Sequence, residues 1–270
     1  MTTFAARTDV GRRGGQNEDA IGWDSGGHVW FVADGMGGHA AGAVASQVVK
    51  ETLIALAGST PPAEAVLRAH EAVVASATEN PAYAGMGATL VSVWVEKRVC
   101  RVVWVGDSRA YLWRKRALEP LTRDHSYLEE LRKLNNLSET QLHNHPDRHL
   151  VVQTLGIGTP VPSVTETKLR AGDWVLLCSD GLTDELTDAE VARVLATVDS
   201  VQDGADALIR AALEKGGRDN VSVVLLAKDS SASSSGSRLE GATLAALAAA
   251  GGIGAALAIA AAWWYLNGKR

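Results

Sequence analysis

Apolar residues recur along the chain at two spacings. Runs rich in Val, Leu and Trp occur as HVWFVAD at 28–34, ATLVSVWVE at 88–96, VCRVVWVGD at 99–107 and RAYLWR at 109–114. They return as DWVLLCSD at 173–180 and NVSVVLLA at 220–227, and each run predicts a strand. The short turn Glu96–Lys97–Arg98 predicts a hairpin between the second and third runs. Strands that follow one another without intervening helices predict largely antiparallel pairing rather than a doubly wound parallel sheet. Ala-rich segments at 40–57, 62–79, 187–197 and 201–215 space their apolar residues by three and four and predict helices. The stretch 126–160 is more polar and has no clear period after Leu134, so it reads as a surface excursion over the sheet edge. Trp23, Trp30, Trp94, Trp104, Trp113 and Trp174 all fall on predicted strands, where core packing accounts for them.

The pattern changes abruptly after residue 228. Residues 229–240 (DSSASSSGSRLE) read as a flexible Ser-rich linker. Residues 241–266 then carry no charge at all, and 267–270 form a short basic tail ending in Lys269 and Arg270. About 20 apolar residues span the hydrocarbon layer, and Trp263, Trp264 and Tyr265 cluster at one end, where amphipathic rings favour the interface. The expectation is a transmembrane helix over 241–266; an Ala/Gly-rich helix packed on the domain, or a loosely ordered tail, is the alternative. The N-terminus lacks a signal-peptide pattern. A single-pass C-terminal anchor would therefore leave residues 1–228, one large domain, in the cytoplasm.

Charge and cysteine content narrow the chemistry. With 270 residues, 46% apolar and 21% charged, the chain is neither disordered nor a disulfide-stapled miniprotein. Its net charge is −5; residues 230–270 hold Arg238, Lys269 and Arg270 against Glu240, a balance of +2, so residues 1–229 hold −7. Such a domain is a poor binder of nucleic acid, which needs clustered cations, and is better suited to holding cations itself. Cys100 and Cys178 lie in separate apolar runs without metal or redox spacing and are expected to be buried thiols.

One local pattern repeats: an apolar strand that stops at an Asp, often followed by Gly. It appears at Asp34–Gly35, at Asp107 and at Asp180–Gly181. Asp219 precedes a strand, and Asn17–Glu18–Asp19 stands just ahead of AIGW. Converging carboxylates repel unless cations sit among them. Oxygen ligation without Cys or paired His suits Mg²⁺ or Mn²⁺ rather than zinc. Two such ions can acidify a water and grip phosphoryl oxygens. An isolated Asp-Gly is ordinarily only a turn; three such strand ends in one domain argue for a site.

RTDVGRRGGQNEDA, FVADGMGGHAAG, VVWVGDSRAYL, LTRDHS, LLCSDGLTDEL and GGRDNVSVVLL occur in that order over about residues 5–228. Together they resemble the bacterial form of the metal-dependent protein serine/threonine phosphatases, the PPM family, also called type 2C. The resemblance implies an α/β fold of the α+β type: two antiparallel β-sheets packed face to face and flanked by antiparallel helices. It implies that Asp34 bridges two Mn²⁺ or Mg²⁺ ions, that Gly35 offers its carbonyl, and that Asp180 and Asp219 complete the set. Asp124 would serve a third, weaker ion shared with Asp180. Glu18 and Asp19 would orient waters, and His39 would protonate the leaving alkoxide or recognise substrate. Asp107 would be structural, and 126–160 a flap beside the site. The implied substrates are phosphorylated Ser/Thr proteins, those of a cognate kinase among them, hydrolysed by a metal-activated water.

The chain departs from the family at one position. The Arg expected four residues before the Glu of the Asn-Glu-Asp motif is replaced by Gly14, with Arg12 and Arg13 just upstream. On an extended strand a one-residue offset would turn Arg13 to the other face, whereas a Gly14–Gly15 loop would let it reach the same place and clamp phosphate. A non-catalytic phosphoprotein-binding relative or kinase scaffold, and a hydrolase of another phosphoester such as a nucleotide, are the competing readings. The HxHxxxH run His143, His145, His149 fits no standard metal set and reads as exposed flap.

Overall fold

The computed structural model describes residues 2–37, 40–135, 147 and 150–228. The linker 229–240, the expected transmembrane helix 241–266 and the basic tail lie outside the described residues, as do His39, His143, His145 and His149. No helix among the described residues is long and apolar enough to cross a membrane.

Among the described residues eleven strands form two sheets in which every pair is antiparallel. The first contains β1 (Thr2–Asp9), β11 (Val221–Lys228), β10 (Trp174–Cys178), β7 (Arg109–Arg114) and β8 (Ala117–Pro120), in that order. The second runs β2 (Asp19–Trp23), β3 (Val29–Met36), β5 (Leu90–Glu96), β6 (Val99–Val105) and β9 (Ser163–Lys168), with the short β4 (Gly87–Ala88) paired to the end of β3. Helices α1 (Ala41–Leu56) and α2 (Pro62–Glu79) cover the second sheet. Helices α5 (Asp188–Leu195) and α6 (Val201–Lys215) cover the first. α3 (Tyr127–Asn135) and the one-turn α4 (Asp180–Thr183) complete the order.

Strand periodicity explains the layers. In β3, Val29, Phe31 and Ala33 point to Ala45, Val49 and Leu53 of α1, while Trp30 and Val32 point to the other sheet. β11 repeats this, with Val223 and Leu225 toward α6 and Val224 and Leu226 toward β3 and β5. Strands buried on both faces read as unbroken apolar runs. α6 starts on Ser200, whose Oγ accepts from the Asp203 N–H; α5 starts on a Thr187–Glu190 capping box. Both cysteines are buried and free.

Three expectations are corrected. β3 does not stop at Asp34 but continues to Met36, because β4 supplies pairing for Gly35 and Met36. Trp23 is not core: it is 42% exposed and leans on the Phe4 ring at 4.9 Å. The stretch 126–160 is not wholly a surface excursion. It opens with α3, and Leu155 is fully buried in the helix-side core, exchanging backbone hydrogen bonds with Ala88.

Candidate active site

The ends of the strands nearest Asp34 converge on a cleft of about 480 Å³. Its lining includes Glu18, Asp34, Asp107, Asp180 and Asp219, with Gly35, Thr89 and Asn220 between them and Arg13, Gly14 and Arg218 on the rim. Asp34 lies on β3 directly opposite Asp19 of β2, a cross-strand pairing of like charges that is unfavourable without a cation. Asp107 sits on the turn between β6 and β7. Asp180 opens α4 after Ser179, and Asp219 stands two residues before β11. A broader depression of about 610 Å³ lies along α1 and α2, lined by Glu51, Glu64 and Arg68. It gathers only surface charges that already pair in part, so the acidic cleft is the better candidate.

The backbone is brought in closely. A Cβ on Gly35 would stand 2.0 Å from the Gly42 carbonyl oxygen and 2.8 Å from that of Glu18. A Cβ on Gly42 would stand 2.0 Å from Glu18 Oε2. Glycine at both positions therefore lets the start of α1, β3 and the Glu18 carboxylate meet. The Asn220 side chain ties the set across the sheets: Oδ1 accepts from Glu18 N–H at 2.7 Å and Nδ2 donates to Val10 O at 3.0 Å. Below the cleft, Ser179 Oγ donates to Asp19 Oδ2 at 2.8 Å and accepts from Ser222 N–H at 3.0 Å.

Glu18, Asp19, Asp34, Asp107 and Asp180 are held back from ionising. Burial, then the charges of Asp19, Asp180 and Asp107, push Asp34 well above the usual range. Burial and the charges of Asp180 and Asp124 do the same to Asp107. Asp19 is pushed up to about 7 and Asp180 to about 6, burial again being the main cause. Glu18 is raised by burial and by Asp219. Among the described residues little cationic charge answers them: Arg218 is engaged by Glu185 at 2.9 Å, Arg109, which acts on Asp107, is held by Asp124 at 2.7 Å, and Arg13 stands on the rim. Asp19 Oδ1 is buried with no hydrogen-bond partner. Among the described residues no three acid, His or Cys groups already stand close enough to hold an ion unaided by rearrangement. The donor set nonetheless fits hard divalent cations: it is all oxygen, strongly acidic, and includes an orphaned carboxylate oxygen.

The expected residues distribute unevenly. Asp34, Gly35, Asp180, Asp219 and Glu18 line the cleft, with Asp19 just beneath. Arg13 reaches the rim through a loop in which Gly14 and Gly15 have φ of 69° and 112°. Arg12 instead donates from Nε to Leu213 O at 2.6 Å. Asp124 does not line the cleft. Its two oxygens are taken by Arg109, at 2.9 Å from Nε and 2.7 Å from Nη2, so an ion there would have to open that pair. Asp107, set aside as structural, is on the lining; its strand-end pattern was the signal that could have placed it there.

The protein phosphatase 2C family model matches residues 10–215. The serine/threonine protein phosphatase PstP of Mycobacterium tuberculosis is 37% identical over 229 residues, 82% of this chain and 44% of that protein, so the chain spans less than half the length of that relative. The serine/threonine phosphatase stp of Listeria monocytogenes is 34% identical over 238 residues, covering 83% of this chain and 94% of that protein. The crystal structure of the M. tuberculosis phosphatase PstP/Ppp superposes with a TM-score of 0.78 at 36% identity, over 85% of this chain and 99% of that one. A structure of the PstP catalytic domain with two manganese ions gives 0.76 at 34% identity, over 85% and 99%. The chain belongs to the protein phosphatase 2C family.

Proposed function

We propose that the chain is a metal-dependent protein serine/threonine phosphatase acting on phosphoserine and phosphothreonine in proteins, and that its C-terminal segment tethers it to the membrane. The observation that carries the catalytic reading is the acidic cleft itself. Five carboxylates line it, a sixth lies beneath, and no matching set of cations answers them among the described residues. The relative solved with two manganese ions supports Mn²⁺ or Mg²⁺ as what fills it.

In this reading Asp34, Asp180, Asp219 and the Gly35 carbonyl hold two ions, while Glu18 and Asp19 accept hydrogen bonds from waters around them. Held there, the ions would supply Lewis acidity, lowering the pKa of a water and neutralising phosphoryl charge. Ser179 fixes the Asp19 carboxylate by donating to Oδ2, and Asn220 fixes the Glu18 backbone. Arg13, from the rim, donates to the substrate phosphate and orients it for in-line displacement. His39 is the proposed donor to the leaving Ser or Thr oxygen. A third, weaker ion would engage Asp124 only when Arg109 lets it go. Substrates would be phosphoproteins of a cognate Ser/Thr kinase, met on the cytoplasmic side of a single-pass anchor at 241–266.

The deciding experiment is hydrolysis of a phosphothreonine peptide by the full chain with Mn²⁺ and with chelator. Activity that appears with Mn²⁺ and vanishes with chelator is expected. Equal rates in both would end the catalytic reading, and faster turnover of a nucleotide than of the peptide would redirect it.

A further inference from the structure

We propose that the end of the two sheets opposite the cleft docks on an anionic membrane surface. The strand directions place this end: β5 and β9 run away from the cleft, and so does β11. There the β5–β6 turn, the end of β9, the turn at 169–173 and the end of β11 are sewn together. Leu169 N–H donates to Arg98 O at 2.8 Å, Lys228 Nζ to Lys97 O at 3.0 Å and Gly172 N–H to Lys228 O at 3.0 Å. Lys168 pairs with Val99 across β6 and β9. Lys97, Arg98, Lys168 and Arg170 are thereby gathered on one tip, all exposed.

Among the described residues, Lys97, Arg98 and Lys168 have no ion-pair partner. Arg170 stands near Asp173, but that buried carboxylate is already held by Arg114 at 2.6 Å. Glu96 is the one exposed acid of the same turn. A cationic tip on a domain of net charge −7 is a concentrated exception, and like charge would keep the acidic end away from an anionic surface.

Two observations choose lipid over an acidic protein. β11 delivers the chain to this tip at Lys228. Twelve residues of Ser-rich sequence then lead to the 26 uncharged residues 241–266, and a random coil of twelve residues would span only about 20 Å on average. Basic residues beside a membrane-inserted segment bind anionic headgroups within about a Debye length. The docking rests on the anchor reading of 241–266 and not on the catalytic one. Its consequence is an orientation in which the cleft opens toward soluble phosphoproteins.

The test reconstitutes the full chain into vesicles of phosphatidylcholine alone or with about one-third phosphatidylserine. Amine labelling is then read residue by residue. Labelling of Lys97 and Lys168 should fall roughly threefold on the anionic vesicles and recover in about 0.5 M salt. Lys215, at the end of α6 nearest the cleft, should label alike on both. The double variant Arg98→Gln with Arg170→Gln should lose most of the protection while hydrolysing p-nitrophenyl phosphate at the parent rate. Equal labelling of Lys97 and Lys168 on both vesicles would overturn the proposal. So would protection by an acidic polypeptide in place of the vesicles. Protection in a chain without phosphatase activity would refute the catalytic reading and leave the docking intact.

Discussion

Two aspartates at opposite ends of the same sheets have opposite electrostatic fates. Asp173, entering β10 at the basic tip, is 4% exposed, and burial alone would raise its pKa. Arg114 grips it at 3.0 Å from Nε and 2.6 Å from Nη2, Arg170 N–H adds a bond at 2.6 Å, and the net shift is downward. Asp34, at the other end, is driven upward by burial and then by the charges of its neighbours Asp19, Asp180 and Asp107. Residue type does not separate the two; the charge of the partners does, cationic at Asp173 and anionic at Asp34. A carboxylate balanced by its own chain is architecture, whereas a carboxylate left crowded by others marks where charge from outside is wanted.

The largest effects should come from exchanging charge for amide at the two ends. Asp180→Asn or Asp34→Asn should lower p-nitrophenyl phosphate hydrolysis by roughly a thousandfold or more, with the metal-free melting temperature unchanged or higher because repulsion is relieved. Asp173→Asn should do the reverse. It leaves the half-buried Arg114 without its carboxylate partner and should cost about 2–3 kcal/mol. That is a fall in melting temperature of roughly 4–12 °C for a domain of this size, with turnover per folded molecule kept. If Asp173→Asn lost activity as fully as Asp180→Asn, the division between the two ends would not hold.

Next in size is the pH response. Asp19, near 7, and Asp180, near 6, keep protons in the folded chain at pH values where the unfolded chain, with its carboxyls near 3.8, has lost them. Unfolding therefore releases protons between about pH 4 and 7, and metal-free stability should rise as pH falls through that window. Asp24, Asp173 and Glu185 are shifted downward, so their contributions fade only below the ordinary carboxyl range of 3.8 to 4.5. Saturating Mn²⁺ should invert the slope, since ions bind the deprotonated groups and stabilise by mass action. Calorimetry at pH 5.5 and 7.5, with and without Mn²⁺, reads this directly; Asp19→Asn should flatten the metal-free slope and Asp173→Asn should not.

At the rim, Arg13→Ala should raise KM about tenfold with little change in melting temperature, as expected for a lost phosphate contact. Arg12→Ala should touch stability alone, because its guanidinium only fastens the loop to Leu213. Equal KM changes in the two would remove Arg13 from its proposed role.

What could be read from sequence follows from how many faces an element buries. β3, β5, β6, β10 and β11 are buried on both faces and stand out as apolar runs, and α1, α2, α5 and α6 show their stripes. β9 alternates exposed and half-buried residues over SVTETK, and β1 (TTFAARTD) is an edge strand registered along all of β11. Neither has a signal strong enough to read without its partner. Asp34, Asp107 and Asp180, which line one cleft, stand out in the sequence as repeated strand ends, whereas Asp219, ahead of β11, does not. The bidentate grip of Arg109 on Asp124 was not legible, because it depends on a turn bringing residues fifteen apart into register.

The smallest effect expected is also at the basic tip. Arg114 pairs with Ala117, leaving Lys115 and Arg116 as a two-residue connection with φ of 52° and 64°. Such a turn follows the strand twist but favours Asn-Gly, because left-handed backbone is costly for residues with longer side chains. Lys115→Asn with Arg116→Gly should therefore stabilise the domain by about 1 kcal/mol in backbone preference. Part of that gain is offset by loss of the exposed bond from Arg116 Nη2 to Ala196 O at 2.6 Å. The expected rise in melting temperature is about 2 °C. Arg114 Nη2 also donates to Lys168 O at 2.8 Å, which sets this turn beside the cationic tip. If two cations are kept here at the expense of a better turn, the variant should be more stable in solution yet protect Lys97 less on anionic vesicles. A variant that is more stable and protects Lys97 as fully as the parent would confine the docking face to the β5–β6 turn and the end of β9.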